Sequence, residues 1–166
     1  MRVVFYIIWL LILAVFQPTL ARGIAVCSIA PNLFLCFVVI CGFFRGKNEA
    51  GICGAVFGLV YDLLAGRLIG ISSLIFLYAG FASGVLSEHF VSSGKRLAGT
   101  LNTAAATVLS GIVYYAANSI AYGNISFVTA FFRLTVPEAI YNAVISFLIS
   151  FPILWMMKLM RMERIS

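Results

Sequence analysis

Residues 51–70 read GICGAVFGLVYDLLAGRLIG, and the fold turns on why a carboxylate, Asp62, stands in that apolar run with no positive charge before Arg67. The answer depends on the solvent around the segment, and composition identifies it. Of 166 residues, 63% are hydrophobic and 10% charged, whereas soluble domains run near half apolar and a quarter charged. Apolar runs of about 18 or more residues are long enough to cross a bilayer as helices, and several follow one another here. The sequence is that of an all-α integral membrane protein.

The same reading excludes other classes. A net charge of +6 is spread in ones and twos between apolar runs and makes no basic patch with interleaved aromatics, so no nucleic acid is expected as a partner. Cys27, Cys36, Cys41 and Cys53 lie in or beside apolar runs without zinc or disulfide spacing, and read as small buried hydrophobes. His89 has no second His or Cys near it and reads as solvated. No nucleophilic triad can be assembled at a common depth, and Ser93-Gly94-Lys95 lacks the first glycine and preceding strand of a phosphate loop. No catalytic residue, cofactor or metal is expected. The first apolar run lacks a small-x-small cleavage site and reads as retained.

Breakers divide the chain into six expected spans, at 3–21, 24–44, 50–65, 69–91, 97–121 and 138–157, forming one transmembrane domain over 1–166. The third is short enough to need a thinned bilayer or burial among its neighbours. Six spans place Arg2, Arg45, Lys47, Lys95, Arg96, Lys158, Arg161 and Arg164 on one side, and Arg22, Arg67 and Arg133 on the other. Basic residues in short loops stay cytoplasmic, so both termini are expected there.

Gly54, Gly58 and Asp62 stand four residues apart and share a helix face, and Gly80 and Gly84 repeat the pattern in the next span. Small residues at this spacing let helix backbones approach closely in lipid, and these spans are expected to pack against others in the bundle. A lone carboxylate at depth marks a partner or a function. Three readings stay open for Asp62: a tether of the 66–70 turn through Arg67 and the amides of Ile71, Ser72 and Ser73; a partner contact; and proton-coupled transport.

Other polar residues have local readings. Pro31-Asn32 breaks the second span, either as a kink satisfied by a neighbour or as a small cavity open to the outer face. Thr135-Val-Pro-Glu138 has the spacing of a capping box, with Asn142 one turn further in and available to bond across the bundle. Ahead of it, Ser126 either caps a short interfacial helix carrying Phe127, Phe131, Phe132 and Arg133, or belongs to an irregular loop. Pro152 is expected to kink the last span.

Taken together, Pro31-Asn32-Leu33, the stretch from Gly58 through Asp62 to Gly66 with Gly70 after it, Gly80-Phe-Ala-Ser-Gly84 and Pro137-Glu138-Ala-Ile-Tyr-Asn142 resemble the bacterial rod shape-determining MreD family, in that family's order and over nearly the whole chain. The resemblance implies a non-enzymatic scaffold of cell-wall elongation in the cytoplasmic membrane. Its implied partner is MreC, with RodA, a class B penicillin-binding transpeptidase and MreB filaments engaged indirectly, besides membrane lipids. It also implies a fold similar to the substrate-capture subunits of energy-coupling-factor transporters, which leaves a vitamin- or solute-binding subunit as the alternative. The residues expected to carry helix packing or partner contact are Gly54, Gly58, Asp62, Gly66, Gly70, Gly80 and Gly84, with Asn32, Glu138 and Asn142 as intramembrane polar anchors.

Overall fold

The computed structural model describes residues 2–23, 29–66, 69–90, 94–122 and 131–160. Among them are six α-helices: α1 (Arg2–Gly23), α2 (Leu33–Arg45), α3 (Lys47–Ala65), α4 (Ile71–Ser87), α5 (Lys95–Tyr122) and α6 (Val136–Leu159), with a π-helical turn, Phe131–Thr135, leading into α6. Arg22, Arg67 and the tail cations Arg161 and Arg164 have side chains outside what is described, as do Cys27, Ser126 and Phe127.

The bundle is organised around α2. Its sequence, LFLCFVVICGFFR, is apolar all round, and every residue except Phe44 is buried. A helix with no polar face has to be surrounded, and α1, α3, α4, α5 and α6 all pack on it. The expectation of a helix over 24–44 is corrected at residues 29–32, which are not helical. The described helix begins at Leu33, because Pro31 biases the preceding residue away from helical geometry and Asn32 caps the start, its side chain accepting from the Leu35 amide at 3.1 Å. Asn32 therefore caps the start of α2, and residues 24–28 of the expected span lie outside the described residues.

α1 docks through Phe5, Trp9 and Leu13, which recur every four residues and form its buried face. The rings of Trp9, Phe37 and Phe57 follow one another across α1, α2 and α3 at 5.3 and 5.0 Å between centroids. α3 and α4 form a close hairpin. α5 and α6 lie antiparallel, with Thr107 facing Asn142, Thr103 facing Ser146 and Arg96 facing Phe151.

The exterior is apolar. Val3 and Leu11 on α1, Ile52 and Leu63 on α3, Leu97 and Leu109 on α5, and Ile140 and Trp155 on α6 are all exposed, a surface that marks a membrane or interaction face and not contact with water. Three helices are long and apolar enough to cross a membrane, Lys47–Ala65, Lys95–Ala117 and Phe131–Leu159; the other three, Val3–Thr19, Leu33–Arg45 and Ile71–Ser87, are apolar but shorter. The third expected span is thus longer than 50–65, starting directly after the Gly46 turn, whose φ of 92° suits glycine.

The capping box is also corrected. Thr135 has helical φ and ψ of −70° and −44° and makes no side-chain cap bond, because the π-helical turn has already begun the helix upstream. Its side chain packs instead against Gly111 of α5, where a Cβ would lie 2.6 Å from Thr135 Oγ1. Phe131, Phe132 and Arg133 accordingly belong to this turn, with Phe132 and Arg133 exposed.

Candidate functional site

Two polar arrangements sit inside the bundle, and a glycine seam leads to the first. Along α3 and α4, a Cβ placed on Gly54 would meet the carbonyl oxygen of Phe76, one on Gly80 the carbonyl of Ala50, and one on Gly84 the backbone of Lys47, each closer than 3.0 Å; on Gly58 it would lie 2.5 Å from the Ser72 carbonyl oxygen. Only hydrogen fits at such approaches. The glycines of α3 thus face the backbone of α4 and those of α4 face α3, which corrects the expectation that the two spans turn these faces to the rest of the bundle. Gly42 of α2, which sequence spacing did not single out, joins them: a Cβ there would be 2.6 Å from Ser83 Cβ.

Gly66 and Gly70 are of another kind. With φ of +62° and +102° and open space where a Cβ would stand, they serve the turn and not a helix contact within the chain. The Gly66 amide closes α3 on the Asp62 carbonyl. The Asp62 carboxylate, fully buried, closes the other side, accepting from the Gly70 amide at 2.8 Å and the Ser72 amide at 3.1 Å. Of the three amides proposed for it, Ser72 is the one it holds, with Gly70 as the second donor. Ser73 Oγ donates to the Ala55 carbonyl at 2.8 Å, and Ser72 Oγ bonds to the Tyr114 hydroxyl, linking the clasp to α5.

The second arrangement surrounds the non-helical entry into α2. Asn142, fully buried on α6, accepts from the Asn32 amide through Oδ1 at 2.7 Å and donates through Nδ2 to Thr107 Oγ1 at 3.0 Å. Gln17 of α1 brackets the same segment: its Nε2 donates to the Pro31 carbonyl and its Oε1 accepts from the Leu33 amide, both at 2.9 Å. Cys36 Sγ reaches the Asn142 carbonyl at 3.4 Å. Thr107 and Thr103 each donate to the carbonyl one turn back, and Thr103 meets Ser146 at 2.9 Å. Glu138, the third expected anchor, lies half-buried one turn before Asn142.

Thr103, Thr107 and Ser110 were missed by sequence reading, although their three- and four-residue spacing on α5 is the signal of a polar stripe. All three are buried. In hydrocarbon each unpaired backbone group costs several kcal/mol, so an extended entry such as 29–32 persists only where side chains complete its bonds. The chemistry of both arrangements is mutual satisfaction.

A further polar cluster joins the beginning of α3 to its neighbours. Glu49 accepts from Arg45 Nε at 2.9 Å and from the Tyr6 hydroxyl at 3.1 Å, and Lys47 pairs with Glu88 at 3.4 Å. His89 is exposed, while Cys36, Cys41 and Cys53 are buried free thiols. Between α4 and α5 runs a groove of about 410 Å³, lined chiefly by alanines and leucines, with Tyr78, Asn102 and Ser110 bringing polar groups to it.

The family of the rod shape-determining protein MreD matches over residues 1–163. The chain belongs to the MreD family. It is thus a member of a membrane protein family that determines rod shape. Nothing matches it among curated proteins or among solved structures. For a chain of the MreD family, the buried polar residues gain a context: they occur in a membrane bundle whose family role is structural.

Proposed function

We propose that this MreD-family chain is a non-enzymatic scaffold of the cell-wall elongation complex, embedded by six spans in the bacterial cytoplasmic membrane with both termini inside. It binds MreC, and through MreC it acts with RodA, the class B penicillin-binding transpeptidase and MreB filaments in lateral peptidoglycan synthesis. The family match over 1–163 carries this reading. The interior supports it, because Asp62, Asn32 and Asn142 spend their bonding capacity on the chain's own backbone and on Thr107.

The same observation weighs against a solute-binding subunit. A solute site needs several convergent polar groups facing a cavity, and these side chains are bonded to backbone amides at helix starts and to Thr107. The seam glycines Gly54, Gly58, Gly80 and Gly84 are likewise engaged by α3 and α4 themselves. Recognition of a partner then falls to the exposed helix faces around a rigid interior.

Depletion of the chain in its own cell tests the role: rod shape is lost, and no vitamin requirement appears. Normal shape after depletion rejects the proposal. The topology has its own check in single cysteines introduced at Arg67 and Lys95, which label from opposite sides of the membrane.

A further inference from the structure

Phe147, Phe151 and Trp155 follow one another at four-residue spacing on α6 and are all exposed, with Lys158 exposed one turn further on. Residues at these intervals share one helix face. The Arg96 guanidinium, from the start of α5, lies over the Phe151 ring at 5.1 Å from its centroid, and Arg96 is exposed as well. From Phe151 to Lys158 the helix rises about 10 Å, so the two cations bracket Trp155. Among the described residues, the ion pairs join Arg45 to Glu49 and Lys47 to Glu88. Arg96 and Lys158 take part in neither. Among the described residues no acid stands at this end of either helix: α5 contains none, and Glu138 is in the first turn of α6, at its opposite end.

We propose that Arg96, Trp155 and Lys158 seat the headgroup of an anionic phospholipid, with Phe151 and Phe147 lying along its acyl chain. Charge selects the occupant, since among the described residues Arg96 and Lys158 are exposed cations that take part in neither ion pair, with no acid in the adjoining turns of α5 or α6. Depth selects a lipid. The aromatic face continues from the cations along α6 through the Phe147 and Phe151 rings, 5.5 Å apart edge to face, as a headgroup continues into its chain. Tryptophan favours the headgroup level, and a guanidinium placed over a ring still has N–H donors to offer phosphate oxygens.

The test uses the full chain in phosphatidylcholine vesicles, with Trp9→Phe leaving Trp155 as the reporter. Brominated phosphatidylglycerol is expected to quench Trp155 at a lower mole fraction than brominated phosphatidylcholine. Arg96→Ala or Lys158→Ala reduces that preference by about fivefold, the effect of one basic side chain at an anionic surface. Lys47→Ala, which removes a cation from α3, leaves it unchanged. Counting phosphatidylglycerol retained by the chain with both tryptophans gives the same comparison without altering the core. Equal quenching or retention of the two lipids by the parent overturns the proposal, as does a loss in Lys47→Ala matching that in Arg96→Ala, which would reveal general surface attraction.

Discussion

Asn142 Oδ1 accepts the Asn32 backbone amide at 2.7 Å, across 110 residues of sequence, at the point where the chain enters the bundle as extended backbone. The same Asn142 side chain donates to Thr107, so α2, α5 and α6 meet at one amide. Asn142→Ala leaves the Asn32 N–H and Thr107 Oγ1 without this partner, and an orphaned buried group costs about 1–3 kcal/mol. Thermal unfolding in detergent, followed by a thiol-reactive dye on buried Cys36, Cys41 and Cys53, is expected to shift down. In a double-mutant cycle with Thr107→Val the coupling is expected at about 0.6 kcal/mol, up to about 1.7; additive effects would remove the bond from the account.

Asp62 separates charge from packing. Asp62→Ala removes the acceptors of the Gly70 and Ser72 amides and is expected to destabilise by about 1.5–3 kcal/mol, the range for a charged hydrogen bond. Asp62→Asn keeps one oxygen and retains part of that stability. The same unfolding assay ranks parent, Asn and Ala in that order. Equal stability of all three would show that the clasp contributes nothing.

The glycines divide into predictable classes. Gly54→Ala and Gly58→Ala place a methyl on the backbone of α4, and overpacking of this kind costs about 1–3 kcal/mol. Gly51→Ala is expected to be tolerated, since its Cβ would stand 3.7 Å from Phe81 Cβ. Gly66→Ala has open space but a left-handed φ, and costs about 1–2 kcal/mol through backbone strain alone. Thermal midpoints of the four variants check the ordering.

The all-helical membrane character was legible because apolar composition and run length report it directly. The face shared by Gly54, Gly58 and Asp62 was also legible, because helical spacing defines a face. Spacing does not name the helix opposite, so the mutual packing of α3 and α4 had to come from the structure. Gly42 was hidden in a helix with no polar face to orient it. Thr135 showed the converse problem: its four-residue signature matched a cap, but the turn upstream left no helix start for it to cap.

The central claim is that the buried polar side chains hold the helices together so that the outer faces can receive MreC. Co-purification in mild detergent, with MreC recovery normalised to the amount of chain that the thiol dye reports as folded, tests it most directly. The account predicts that the parent recovers MreC and that Asp62→Asn and Asn142→Ala recover the same amount per folded chain. Recovery of paired transporter ATPases in place of MreC, or loss of MreC from fully folded Asp62→Asn, would contradict it.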